Sequence, residues 1–177
     1  MKTLLQVKRI ITASLCLCGI LTTAHAGVYT WSAPVTITTA DTTLNQTGTV
    51  VGAAVFGTTE EIVLLTNNTA FDFKADGSVA TATGNGTFAG AFGGDTGNKQ
   101  FNDILTQAEY DGGPKTITLY NLVVGQQYSV QLFALDTRGG ASSSATGNFQ
   151  DPNDATDVSA TFTMGSTVYV IGTFTAN

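Results

Sequence analysis

The run Asp151-Pro152-Asn153-Asp154-Ala155-Thr156-Asp157 concentrates more potential metal ligands than any other stretch of the chain. Carboxylates and an amide carbonyl are the hard oxygen donors that Ca²⁺ prefers, and extracellular Ca²⁺ fills even weak sites. Asp151, Asn153, Asp154 and Asp157 are therefore the candidate ligands, and a structural Ca²⁺ is the one cofactor considered. The run is not an EF-hand loop, because the glycine at the sixth position and the distant glutamate are missing. The competing reading is a polar loop built on Asx turns.

A second set of side chains suits sugars, which need an aromatic platform and a few fixed polar groups. Trp31 is the only tryptophan, Tyr110 follows a predicted short helix, and Asp136 and Arg138 follow a predicted strand. These four are the candidate ligand-binding residues. Each has a plainer alternative: Trp31 packs at the start of the domain, and Asp136 and Arg138 pair to staple a loop. A third possibility is glycoside hydrolysis by two carboxylates about 5–5.5 or 6.5–9.5 Å apart. Asp72, Asp76, Asp95, Glu109 and Asp136 could contribute, but thirteen acidic residues on a small chain give chance pairs. Solvated surface carboxylates are the simpler account, so no catalytic residue is assigned.

Other chemistries are excluded by what the N-terminus takes away. Met1–Ala26 reads as a secretory signal peptide: Lys2, Lys8 and Arg9 are basic, Ile10–Leu21 is apolar, and Ala24-His25-Ala26 presents small residues for cleavage after Ala26. The apolar run is shorter than the roughly 20 residues that a membrane crossing takes. A lipoprotein signal is disfavoured, since Cys16 and Cys18 both follow leucine. These cysteines and His25 are the only Cys and His of the chain. Their removal rules out a Ser-His-Asp triad, a Cys-His pair, a Cys/His zinc site and any disulfide. The mature protein is expected not to be an enzyme.

The remaining residues, Gly27–Asn177, suit one domain with its own core. Losing three cations leaves four basic residues against thirteen acidic ones, and the formal charge goes from −6 to −9. Lys74, Lys99, Lys115 and Arg138 are scattered, so neither nucleic acid nor anionic lipid is an expected partner. No transmembrane segment is expected after cleavage.

Positioning falls to β-structure. Thr and Gly abound, and apolar residues alternate with polar ones in Lys115–Leu119, Gln127–Ala134 and Val158–Met164. In Gln127–Ala134 the apolar face is Tyr128, Val130, Leu132 and Ala134, with Gln127, Ser129 and Gln131 opposite. Val50–Phe56, Glu61–Thr66 and Val168–Thr175 are further strands, and Gly125 suits a turn. Phe101, Ile104, Leu105 and Ala108 form the stripe of one short helix over about 101–109, with Asn98 or Asn102 as its cap. Gly84–Asn98 reads as a mobile Gly-rich loop and Gly139–Asp157 as a second long polar loop.

Three segments carry a resemblance. They are Trp31 with Asp41–Val51 and Ala53–Gly57; Phe101–Leu105, Thr116–Leu119, Gly125–Leu132 and Asp136–Arg138; and Ile171–Asn177. Together they resemble a secreted domain frequent in planctomycete and verrucomicrobial proteins, many of which carry a C-terminal PEP-CTERM sorting tail. The resemblance implies an all-β fold, an antiparallel jelly-roll β-sandwich similar to galactose-binding-like domains, whose ligand sites usually lie in loops at one end. Relatives continue past the last segment with further strands, so the expected domain, 27–177, is either a shortened version or a fragment lacking its last strands. The expected function is a secreted or cell-surface, non-enzymatic module that binds polysaccharide or associates with the extracellular matrix. The alternatives are a structural or adhesive cell-envelope protein without a small ligand and, more weakly, a carboxylate-dependent glycan-active enzyme.

Overall fold

The computed structural model describes residues 3–9, 28–75, 77, 79–82, 86–110 and 115–177. The first elements are β1 (Thr3–Arg9), β2 (Thr30–Trp31), β3 (Val35–Thr36), α1 (Ala40–Thr43), β4 (Thr49–Val55), β5 (Glu61–Leu64), β6 (Ala70–Ala75), β7 (Ala80–Ala82) and β8 (Gly86–Phe88). Then come α2 (Lys99–Thr106), β9 (Ala108–Tyr110), β10 (Ile117–Leu119), β11 (Gln127–Ala134) and α3 (Gly140–Ser144). The chain ends with β12 (Thr146–Gly147), β13 (Gln150–Asp151), β14 (Asp154–Val158), β15 (Phe162–Thr163), a 3₁₀ turn (Met164–Ser166) and β16 (Val168–Thr175). The protein is mostly β, as its composition predicts.

One eight-stranded sheet organises the molecule, in the order β2-β16-β11-β1-β4-β6-β5, with β3 also on β16. All its pairs are antiparallel except β4 with β6, so the sheet is mixed rather than purely antiparallel. Four two-stranded sheets accompany it: β7–β10, β8–β9, β12–β15 and β13–β14. Among the described residues no helix is long and apolar enough to cross a membrane.

Period-two alternation lets the large sheet bury both faces. On one face Ala53, Val55, Phe71, Phe73 and Phe133 pack with Phe101, Ile104 and Leu105 of α2. On the other, Ala54, Tyr128, Val130, Leu132, Val170 and Phe174 pack with Phe149, Phe162 and Met164. β11 is thus covered on both sides beyond its first residue, and of its expected polar face Gln127 is exposed while Ser129 is 5% exposed and Gln131 1%. Gln131 tolerates burial because its amide is satisfied. Its Nε2 donates to the Thr43 carbonyl at 2.6 Å and its Oε1 accepts from Asn45 N–H at 3.0 Å, which ties the end of α1 to the sheet.

The helix stripe resolves to α2, capped by Asn98, whose Oδ1 accepts from Phe101 N–H at 3.0 Å. It ends three residues earlier than expected. Gln107 is extended, and Ala108 begins β9 rather than adding a helical contact. Two further short helices, α1 and α3, join the single one expected. Of Gly84–Asn98, the described part is tied in rather than loose. β8 pairs with β9, Ala91 is fully buried and donates its N–H to the Thr106 carbonyl, and Thr96 is buried. Gly139–Asp157 likewise holds α3, β12, β13 and most of β14 instead of one long loop.

Candidate functional site

The site grows from β2 and the residue before it. Tyr29 and Trp31 sit two apart, so extended backbone sends both rings to the same face, where they stack with centroids 4.8 Å apart and planes 9° off parallel. They lie across β16 at Gly172, the register partner of Trp31. A Cβ on residue 172 would stand 2.7 Å from the Trp31 ring and 3.1 Å from that of Tyr29, so only glycine lets the pair settle. Phe174 closes on Tyr29 at 4.7 Å, Phe149 faces Trp31 at 6.3 Å, and Phe162 follows Phe149 at 5.3 Å.

Asp157 of β14 anchors the stack. Its Oδ1 accepts from the indole Nε1–H of Trp31 at 2.7 Å, and its Oδ2 accepts from the backbone N–H of Tyr29. Burial, and then the charges of Asp151 and Asp157, push the Tyr29 phenol well above the usual tyrosine range. It therefore stays protonated at any physiological pH.

Beside the stack is a cavity of about 100 Å³ whose walls include Trp31, Phe149, Ile117 and Leu132, with Lys115 and Gln150 as polar groups. Among the described residues its lining contains no carboxylate. Ligand pockets usually measure about 300–1,000 Å³. At that size it has room for a projecting group but not for a whole sugar ring.

The four ligand-binding candidates are not gathered here. Trp31 is in the wall. Asp136 and Arg138 are not among the lining residues: Asp136, 1% exposed, receives Nε and Nη2 of Arg138 at 3.0 and 3.2 Å and makes the loop staple. That hydrogen bond raises the guanidinium still further above its ordinary value. Tyr110 ends β9, and its side chain lies outside the described part of the chain.

The candidate metal ligands form a β13–β14 hairpin instead of a cage. Asp151 Oδ1 accepts from N–H and Nδ2 of Asn153, and Asp154 Oδ1 accepts from N–H and Oγ1 of Thr156, two Asx turns. The Thr156 hydroxyl holds the Asp154 carboxyl below the usual range. With Asp157 turned to the aromatic pair, no group of three or more acidic, His or Cys side chains converges among the described residues. Of the carboxylates considered for hydrolysis, Asp72 pairs with Lys74 at 3.0 Å and Asp95 accepts from Gly97 and Asn102. Asp76 and the side chain of Glu109 lie outside the described residues.

Tyr29, Phe149, Lys115, Gln150 and Gly172 were not singled out by sequence reasoning. The Tyr-x-Trp spacing at 29–31, and a glycine inside the strand Val168–Thr175, were the available signals. Comparison with protein families, curated proteins and solved structures finds no match to this chain.

Proposed function

We propose that this protein is exported, loses Met1–Ala26, and acts outside the cell as a non-enzymatic module that binds polysaccharide or matrix glycan. The domain is read as a jelly-roll sandwich of the galactose-binding-like kind, and the all-β architecture supports that reading at the coarser level. One observation carries the function: a cavity bordered by Trp31 and Phe149 with Lys115 and Gln150 as polar groups. Aromatic faces take the apolar side of a sugar ring, and a few polar groups orient its hydroxyls. The ring lies over the mouth and one substituent enters. No catalytic role is assigned to any residue.

A structural or adhesive envelope role is the second reading, favoured by the small volume and by the use of Trp31 Nε1–H in an internal bond to Asp157. A glycan array probed with the mature protein separates the two. Binding that is lost in Trp31→Ala supports the glycan reading. Absence of binding, with and without Ca²⁺, leaves the adhesive one.

A further inference from the structure

We propose that leader removal opens a strand-shaped slot in the large sheet, and that the slot accepts an extended, apolar strand donated by a different polypeptide. The proposal rests on the export reading above. β1, which belongs to the leader, is not peripheral: it lies between β11 and β4, antiparallel to both. All seven of its residues pair with β11, from Ala134 to Tyr128, and the last five, Leu5–Arg9, also pair with β4, from Ala54 to Thr49. Neighbouring strands are about 4.8 Å apart, so taking one out leaves β4 and β11 about 10 Å apart, too far to pair with each other. Both would then present a row of unpaired N–H and C=O groups, beside Ala53, Ala54, Tyr128, Val130 and Phe133, which are at most 2% exposed while β1 is in place.

The pairing also specifies the donor. The register positions of Leu5 and Val7 fall on the face of Ala54, Val130 and Leu132, and those of Leu4 and Gln6 on the face of Ala53, Gln131 and Phe133. Both faces are covered, so the donor must be apolar on both. On the β11 side Lys8 and Arg9 register with Ser129 and Tyr128, which are 5% and 1% exposed, and on the β4 side with half-buried Val50 and exposed Thr49. The ladder with β4 slips between Val7 and Lys8. Cations are poor occupants of such positions. A better strand keeps apolar residues at the places of Leu4, Leu5 and Val7 and carries no charge at the last two. Because it gains a ladder on each side, it is held more firmly than a strand added to an edge.

The test uses the protein as secreted, with its N-terminus read by mass spectrometry. If Met1–Ala26 is retained, the export reading itself fails and the slot is filled by its own chain. With Gly27 first, the probe is a synthetic peptide of Thr3–Arg9 carrying Lys8→Thr and Arg9→Thr. At 100 times its Kd, amide exchange in β4 and β11 is expected to slow about 100-fold. The same peptide with Leu5→Lys and Val7→Lys is expected to have no effect. The proposal is overturned if neither peptide or both peptides protect these amides. It is equally overturned if they are protected without peptide, whether in a monomer that has closed the gap or in a dimer that fills the slot from a second copy.

Discussion

The indole of Trp31 rests on Gly172, in the space a side chain at that position would fill. Gly172→Ala puts a methyl group 2.7 Å from the ring, and flanking strands leave the backbone little room to yield. Overpacking of this kind costs about 1–3 kcal/mol. We expect a lower Tm together with a changed Trp emission, and since Trp31 is the only tryptophan, the emission reports the surroundings of this one indole.

The Asp157 carboxylate should matter through its two acceptor oxygens rather than through a metal. Asp157→Ala leaves the Trp31 Nε1–H and the Tyr29 N–H without their acceptor, at a cost of about 1–3 kcal/mol. Asp157→Asn keeps one acceptor oxygen and should lose less. Denaturant unfolding of the two variants checks the order, and an equal loss would speak against the anchoring role.

Calcium is expected to leave stability unchanged. Asp151 and Asp154 spend an oxygen each on their own turns, and Asp157 spends both on the aromatic pair. Thermal melts in millimolar Ca²⁺ and in chelator should superimpose. A clear rise in Tm with Ca²⁺, abolished by Asp154→Asn, would restore the hairpin as a metal site.

Stability should fall off at both ends of the pH scale for different reasons. The Asp95 and Asp154 carboxyls are held below their ordinary range by hydrogen bonds, from Gly97 and Asn102 for the one and from Thr156 for the other. Their contribution is present above the unfolded carboxylate pKa and is lost as pH falls through the lower folded value. Tyr29 has the opposite sign. Its folded pKa lies above the unfolded value, so its contribution is present below about pH 10 and lost as pH rises further. Unfolding followed between pH 2 and 11 should show both flanks, and Tyr29→Phe should flatten only the alkaline one.

Elements governed by local pattern were legible in the sequence, and pairings across the chain were not. Val168–Thr175 and Gln127–Ala134 read correctly because alternation is a property of neighbouring residues. Asn98 read correctly as a cap option because capping spans three residues. The burial of Ser129 and Gln131 was hidden, since the groups that satisfy Gln131 come from Thr43 and Asn45, far off in sequence. The turn chemistry that splits Gly139–Asp157 into short elements resembles loop composition until pairing partners are known. In the site, Trp31 was recognisable as an aromatic platform. Its acceptor, Asp157, lies 126 positions away. Asp136 and Arg138, two positions apart, turned out to serve each other.

Titration of the mature protein with the best-binding oligosaccharide from a glycan array tests the central claim most directly, run in parallel on Trp31→Ala and Arg138→Ala. Binding should weaken at least about tenfold in Trp31→Ala, the loss of about 1.4 kcal/mol of aromatic contact. It should be unchanged in Arg138→Ala, whose guanidinium is not in the cavity lining. The account is contradicted if no oligosaccharide binds, or if Arg138→Ala abolishes binding while Trp31→Ala, still folded, retains it.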